Sequence, residues 1–264
     1  MGLLCALVAS SCSREPAPSE SAPSARVELV VYAATSTRDA FQALEADYER
    51  SHAVDLVFNF GSSGDLAKQI VAARKAAVFL SAGEKELDEV AAAGLVVEGS
   101  RKPLLTNQLV VIEPSELASL FAKPFAPEQL ADARVEHLSL AHVETVPAGR
   151  YAKQWLERVG VWSRVAERVV PGVDVRAALA AVESGAARAG IVYRTDAALS
   201  KRARIVFAVP LEQGPRIVYP LAVLADRPHE AQARAFAAWL ATSDGLAAFE
   251  ARGFLPLADS DRAK

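Results

Sequence analysis

The hydrophobic positions of the chain alternate between short continuous runs and helical patterns. The runs at 27–33, 54–60 and 76–82 are rich in β-branched and aromatic residues, which is typical of buried strands. Between the first two runs, apolar residues recur on one predicted helical face: Ala40, Phe41, Leu44 and Tyr48. Strand and helix therefore alternate, and this alternation predicts parallel β/α units in an α/β fold.

The same alternation continues through the second half of the chain. Further strands are predicted at 109–114, 191–193, 204–210 and 216–225. Further helices are predicted to begin at Pro147, at Val175 with Asp174 as N-cap, near 231 and near 245. With 264 residues, 52% of them hydrophobic, the chain has enough core for two α/β lobes.

The turn that joins the second strand to its helix reads NFGSSGDLAKQI, from Asn59 to Ile70. Ser62 is predicted to cap the helix and Asp65 to complete a capping box. The free N–H groups of a helix start can equally bind an anion, and an ordinary cap is the alternative. Small or hydroxyl residues mark other predicted helix starts in the same way, at Ser36 (with Asp39 as a capping box), Ala148 and Val175.

The net charge and the lack of certain motifs argue against several classes of function. A formal net charge of −3 does not indicate a broad basic face for nucleic acid. The four histidines lack metal-ligand spacing, and no phosphate-binding or dinucleotide glycine motif is present. An exported serine hydrolase using Ser63 is a weaker alternative, because Asp65 stands where a nucleophile elbow needs glycine and no base is evident. The chain is therefore predicted not to be an enzyme.

The N-terminus has the pattern of an export signal. A short apolar run at 3–9 precedes Ser10-Ser11-Cys12, which is similar to a bacterial lipobox. Residues 1–12 are predicted to be a signal peptide with lipidation at Cys12, and 13–25 a flexible tether rich in Ser, Pro and Ala. A plain secretory signal is the alternative. Cys5 and Cys12 are the only cysteines, so the folded region has no disulfide or cysteine–zinc site.

Several segments of the folded region form a recognisable set and read, in chain order, YAATSTRDAF, NFGSSGDLAKQI, VFLSAGEKELD, HVETVPAGRYAKQWLERVGVW, and PGVDVRAAL with AGIVYRTDA. In this order they resemble the periplasmic molybdate-binding proteins of ABC importers. The likeness extends from Val27 to Phe254. It implies a two-lobed periplasmic-binding-protein fold of type II, each lobe a mixed sheet flanked by helices, with two crossing segments. Lobe 1 would comprise 26–107 plus 221–264, and lobe 2 would comprise 108–220.

The resemblance also implies a function and a site. The protein is expected to be exported, to capture molybdate and also tungstate, and to deliver them to an ABC permease with its ATPase subunit. It is expected to be a monomer, held at the membrane by a lipid anchor and without a cofactor. The family's ligand contacts correspond to Ser36, Ser63, Ala148, Val175 and Tyr193, which would reach the metal only through the oxyanion oxygens.

The chain departs from the family pattern at several positions. His142 lies where the family has Gly-Asp-Pro, Ala77 lies within the usual Pro-Ala-Asp, and Glu86 lies near a usual aromatic residue. These departures concern lobe packing and the closure surface more than the ligand contacts. The carboxylate of Asp65 would oppose an anion if it pointed into the site.

Another oxyanion or a small organic anion is the alternative ligand for the same fold. An arginine in the cleft would favour that alternative, and Arg38 and Arg150 lie beside two of the expected contacts.

Overall fold

The computed structural model of the protein describes residues 1–2, 26–225 and 227–257. The predicted signal peptide from residue 3 onward, the tether and the lipidation site at Cys12 lie outside these residues. Among the helices that are described, none is long and apolar enough to cross a membrane.

Strands and helices of the described chain follow the alternation predicted from the sequence. The strands are β1 (Val27–Ala34), β2 (Val54–Gly61), β3 (Val78–Leu80), β4 (Lys102–Leu105), β5 (Leu109–Pro114), β6 (Leu138–Ala141), β7 (Val169–Gly172), β8 (Ala189–Tyr193), β9 (Ala203–Ala208) and β10 (Tyr219–Val223). The helices are α1 (Arg38–Ser51), α2 (Ser63–Ala73), α3 (Glu84–Ala92), α4 (Pro147–Arg158), α5 (Trp162–Val165), α6 (Val175–Glu183), α7 (Arg194–Ala198), α8 (Glu230–Leu240) and α9 (Ser243–Glu250). Strands β4, β6 and β7 are elements that the hydrophobic pattern did not predict.

The strands form two mixed sheets. The first has the order β2-β1-β3-β10-β4, and the second has the order β7-β6-β8-β5-β9. In the first sheet, β1 pairs in parallel with β2 and β3, whereas β10 is antiparallel to β3 and β4. In the second sheet, β6 is parallel to β7 and β8, whereas β5 is antiparallel to β8 and β9. The predicted α/β fold with two lobes and two mixed sheets is therefore confirmed.

The chain passes between the sheets twice. The first passage lies between β4 and β5, at 106–108, and the second lies between β9 and β10, at 209–218. After β10 the chain stays with the first sheet, where α8 and α9 pack beside α1. Short passages of this kind place the two sheets side by side with a cleft between them.

The first sheet is covered by helices on both faces. On one face, the predicted apolar face of α1 is buried, and Phe41 packs against Phe236 of α8 and Phe249 of α9. On the other face, α2 and α3 bury a separate cluster that includes Leu66, Ile70, Leu87 and Val90. Helices on both faces leave the strand ends and helix starts free to build a site at the edge facing the second lobe.

Candidate anion-binding site

A small cavity lies between the two lobes, where several helices begin. It is lined by Ala34, Thr35, Ser36, Gly61, Ser62, Ser63, Ala82, Val146, Pro147, Ala148, Asp174, Val175 and Tyr193. The free volume inside the cavity is about 20 Å³. A cavity that holds one water has a free volume of roughly 10–15 Å³, so this cavity suits a compact ligand of a few heavy atoms. All five residues named from the family resemblance line this one cavity.

The start of α2 combines a helix cap with a cavity contact. The Ser62 hydroxyl accepts a hydrogen bond from the Asp65 backbone N–H at 3.2 Å, as the capping prediction requires. The next hydroxyl, that of Ser63, is buried and accepts a hydrogen bond from the Ala82 N–H at 2.9 Å. Because an N–H can only donate, the Ser63 hydroxyl hydrogen remains free to donate into the cavity.

Asp65 does not point into the cavity. Its side chain is exposed, it accepts a hydrogen bond from the Ser62 hydroxyl at 2.8 Å, and it lies 3.9 Å from the Lys68 ammonium. Its carboxylate therefore belongs to the outer face of the helix start. The Asp65 carboxylate therefore does not repel an anion in the cavity, which the sequence alone had left open.

The predicted capping role of Ser36 is wrong. Ser36 lies inside a 3₁₀ turn, Thr35–Thr37, and α1 begins only at Arg38 with no side-chain cap. The Ser36 hydroxyl instead lies 3.0 Å from the Tyr219 hydroxyl. Asp39, the expected partner in the capping box, accepts a hydrogen bond from Arg176 of the other lobe. Contacts that are distant in sequence have replaced the local ones, and Ser36 stays at the cavity wall.

The second lobe contributes two helix starts. Helix α4 begins at Pro147, which has no N–H, so Ala148 provides the first free N–H of that helix. Helix α6 begins at Val175, and the Asp174 carboxylate caps it by accepting the Ala177 N–H at 2.8 Å. Ala148 and Val175 are both buried at the cavity, and the backbone N–H is the only hydrogen-bond donor that each has.

Tyr193 completes the set from the end of β8. Its side chain is buried, and its hydroxyl has no hydrogen-bond partner among the described residues. Burial raises the pKa of Tyr193 well above the usual value, so the phenol stays protonated and is a donor. A buried donor without a partner costs about 1–3 kcal/mol. A ligand acceptor in the adjoining cavity would remove that penalty.

The described residues that line the cavity include no lysine or arginine. Arg38 is exposed and its guanidinium lies 4.7 Å from the centre of the Phe60 ring. Arg150 lies 2.6 Å from the Glu86 carboxylate. The one lining carboxylate, that of Asp174, is occupied by the Ala177 N–H and the Thr35 hydroxyl. Positive potential in the cavity therefore comes from helix starts and hydroxyl donors rather than from cations.

Contacts between the lobes show that the cleft is closed. The Thr35 hydroxyl reaches the Asp174 carboxylate of the second lobe at 3.2 Å. Arg176 lies 2.5 Å from Asp39 of the first lobe and also pairs with buried Asp196 of its own lobe. These contacts hold the two lobes together beside the cavity.

The departures from the family pattern lie outside the cavity wall. Ala77 is buried beside β3, where its backbone bonds Val30 and Leu224. His142 is exposed, and its ring Nδ1 accepts the Glu144 N–H at 3.3 Å. Glu86 is buried at the closure surface against Arg150. The expectation that these positions affect packing and closure more than ligand contact therefore agrees with where they lie.

The residues that support the contacts were not found from the sequence. Thr35 lines the cavity, Tyr219 contacts Ser36, and Asn107 contacts Tyr219, yet no motif or local spacing marks them. The only available signal was that Thr35 stands beside Ser36 in the segment YAATSTRDAF. The serine hydrolase alternative gains nothing, because the described lining residues include no histidine and Ser63 is bonded to a backbone N–H.

Two α/β lobes that close over a small cavity lined by helix starts define a solute-binding protein. The chain belongs to the bacterial extracellular solute-binding protein family, whose model matches residues 29–255. This family and fold consist of binding proteins, in agreement with the prediction from the sequence.

Several proteins with known or provisional names are similar to this chain. The molybdate-binding protein of Haemophilus influenzae is 35% identical over 76% of this chain and 79% of its own length. A Bacillus subtilis protein, provisionally named a substrate-binding lipoprotein of an ABC transporter, is 33% identical over 94% of this chain and 93% of its own. The solved periplasmic molybdate-binding protein of Azotobacter vinelandii has a TM-score of 0.76 and 24% identity, covering 87% of this chain and 100% of that one. The likeness to this solved structure concerns the fold.

Proposed function

We propose that the protein binds molybdate, and also tungstate, outside the cytoplasm and delivers it to an ABC permease and its ATPase subunit. The observation that carries the proposal is a closed cavity between two lobes, lined by donors and by no cation among the described residues. The 35% identity to a molybdate-binding protein supports the same ligand.

The donor set matches a tetrahedral oxyanion. Hydroxyl donors come from Ser36 and Ser63 in one lobe and from Tyr193 in the other, and Ala148 and Val175 add backbone N–H groups. Hydrogen bonds to a charged acceptor are roughly twice as strong as neutral ones. Several of them, arriving from both lobes, can offset the loss of hydration of a buried dianion. No metal ligation by side chains is required, because the donors contact only oxyanion oxygens.

Selection among oxyanions would rest on size and on protonation. Sulfate and molybdate are both tetrahedral dianions, so the dimensions of the cavity must separate them. Hydrogen phosphate carries a proton that needs an acceptor. The one carboxylate among the described lining residues, that of Asp174, already accepts a hydrogen bond at each oxygen, from the Ala177 N–H and the Thr35 hydroxyl. The named ligand contacts are donors, and this favours an anion that brings no proton of its own.

Calorimetric titration of the folded domain tests the proposal. Molybdate and tungstate are expected to bind tightly, and sulfate and phosphate weakly under the same conditions. If sulfate or phosphate bound as tightly as molybdate, the ligand assignment would be wrong. Tight binding of an organic anion alone would favour the alternative of the same fold serving a different ligand.

Replacing Ser63 by alanine is expected to weaken oxyanion binding by about 1.5–3 kcal/mol, the range for hydrogen bonds to charged groups. The variant loses a hydroxyl that the Ala82 N–H orients toward the cavity. Calorimetry on both proteins measures the change. Ser100→Ala is a matched control, because Ser100 is a buried serine of the same lobe that donates to Val97 and does not line the cavity. An unchanged Kd in Ser63→Ala would remove Ser63 from the site.

We further propose that the protein is an exported lipoprotein anchored through Cys12. The apolar run at 3–9 and the following Ser-Ser-Cys support this, as does the provisional lipoprotein name of the Bacillus subtilis relative. An anchored binding protein would remain close to its permease in the membrane.

A further inference from the structure

A buried chain of hydrogen bonds runs from the cavity wall into the junction of the lobes. The Ser36 hydroxyl lies 3.0 Å from the Tyr219 hydroxyl. The Tyr219 hydroxyl lies 3.3 Å from the side-chain nitrogen of Asn107, and that nitrogen lies 2.9 Å from the Thr195 hydroxyl. All four residues are buried, and of them only Ser36 lines the cavity. Asn107 and Tyr219 lie at the two passages of the chain between the lobes.

The direction of this chain follows from the Asn107 amide. The Asn107 side-chain oxygen accepts the Gln108 backbone N–H at 2.9 Å, and a backbone N–H can only donate. The amide nitrogen must therefore be the atom that faces Tyr219 and Thr195. Since this nitrogen has hydrogens and no lone pair to offer, the Tyr219 oxygen accepts from Asn107.

The orientation of the next two groups then follows in order. Burial raises the pKa of Tyr219, so its phenol keeps its proton. Its oxygen accepts from the Asn107 nitrogen, which can only donate, so the Ser36 oxygen is the acceptor that the described residues place within hydrogen-bond distance of the Tyr219 hydrogen. The Ser36 oxygen accepts from Tyr219, so the Ser36 hydroxyl hydrogen is not used in this series of hydrogen bonds and is free to point into the cavity.

We propose that Tyr219 and Asn107 are positioning residues that hold the Ser36 hydroxyl as a hydrogen-bond donor to the bound oxyanion. This inference rests on the proposed function and deepens it. A serine hydroxyl without such partners can turn a lone pair toward the ligand, and a dianion is repelled by a lone pair. Asn107 and Tyr219 remove that orientation before the ligand arrives, so the donor is preorganised.

A double-mutant cycle tests whether Tyr219 acts through Ser36. Tyr219→Phe keeps the ring, which packs against Phe254, and removes only the hydroxyl. In the wild-type background this change is expected to raise the Kd for molybdate roughly 3- to 10-fold, the value of about one net hydrogen bond. In a Ser36→Ala background the same change is expected to raise Kd less than about 2-fold, since contacting groups are not additive. Equal fold-changes in the two backgrounds would overturn the proposal.

Asn107→Asp provides a second variant with the opposite orientation. A carboxylate at 107 accepts the Tyr219 proton, so Ser36 would donate to Tyr219 and present a lone pair to the ligand. The new charge repels the anion equally with or without the Ser36 hydroxyl, so comparison of the two backgrounds removes its contribution. The rise in Kd is expected to be several times larger when Ser36 is present. An equal rise in both backgrounds would contradict the proposed orientation.

A matched control and the choice of ligand complete the design. Tyr48→Phe changes a buried tyrosine of the first lobe that packs against Phe236, away from the cavity, and its Kd is expected to equal that of the wild type. If wild type failed to bind molybdate but bound tungstate, sulfate or phosphate, the ligand proposal would fail. The cycle would then be measured with the anion that binds. The orienting role of Tyr219 would stand or fall on the comparison of backgrounds alone.

Discussion

Changing Gly64 to alanine is expected to raise the Kd for the oxyanion by on the order of 100-fold while leaving the unliganded fold intact. Gly64 is the second residue of α2, in the first lobe, and it faces the loop before α4 in the second lobe. A β-carbon at 64 would lie far inside van der Waals contact with the Thr145 carbonyl oxygen and 3.2 Å from its carbon. The lobes could then close only if this loop moved.

The size of the effect follows from what the loop supports. Thr145 is three residues before Ala148, whose N–H is an expected ligand contact at the start of α4. Either the lobes stay apart and the contacts of the second lobe are lost, or the loop moves and displaces that N–H. Each hydrogen bond to a charged ligand contributes about 1.5–3 kcal/mol, so loss of one or two accounts for the expected change.

The stability of the unliganded protein separates this mechanism from ordinary misfolding. Gly64 has helical backbone geometry, and alanine is the better helix former by about 1 kcal/mol, so Tm without ligand is expected to stay the same or rise. Gly245→Ala is the matched control at another helix start. Its β-carbon would lie 2.6 Å from the Leu240 Cα within one lobe, so Tm is expected to fall. Wild-type affinity in Gly64→Ala would show that the lobes do not approach this closely when ligand is bound.

Replacing Arg150 by methionine is expected to weaken oxyanion binding by a similar amount, on the order of 100-fold, or about 3 kcal/mol. Arg150 of α4 lies 2.6 Å from the carboxylate of Glu86 of α3, across the closed cleft. Glu86 is 2% exposed, and its second carboxylate oxygen has no hydrogen-bond partner among the described residues. Closure without Arg150 would therefore bury an unpaired charge, and the protein would favour the open form.

Removing the charge of Glu86 should restore binding. In the double variant Arg150→Met with Glu86→Gln, no unpaired carboxylate is buried on closure, and Kd is expected to return to within roughly tenfold of the wild type. Calorimetry on the wild type, the Arg150→Met variant and the double variant measures this rescue. If Glu86→Gln did not improve binding in the Arg150→Met background, the arginine would act on the ligand rather than through Glu86. Arg134→Met is a suitable control, because Arg134 pairs with Asp132 on the exposed surface of the second lobe.

Much of the fold was accessible from the sequence because its signals are local. Continuous apolar runs predicted β1, β2, β5 and β8, and one helical stripe predicted α1 with its buried face. The pattern missed the short strands β4, β6 and β7, and β4 pairs with β10 more than a hundred residues later. A strand of four residues has too few positions to show a period.

The site was only partly accessible. The residues named from the family resemblance do line one cavity, yet Ala148 and Val175 have no side-chain chemistry that would select them. Local reasoning identified the Ser62 and Asp174 caps correctly and gave Ser36 a cap that it does not form. The difference lies in the partners: Ser62 and Asp174 bond residues three positions away, whereas Ser36 bonds Tyr219, 183 positions away.

The sequence by itself determined the class of fold, the helix starts at Ser62 and Asp174, and the absence of cysteine chemistry from the folded region. Each of these depends on composition or on neighbours within a few positions, where propensity and periodicity act. Only the tertiary structure decided that Glu86 is matched by Arg150 and that the Tyr219 hydroxyl lies against the Ser36 hydroxyl. Those outcomes depend on which distant backbones the two lobes bring into contact, and hydrogen bonds and ion pairs form only where that contact is made.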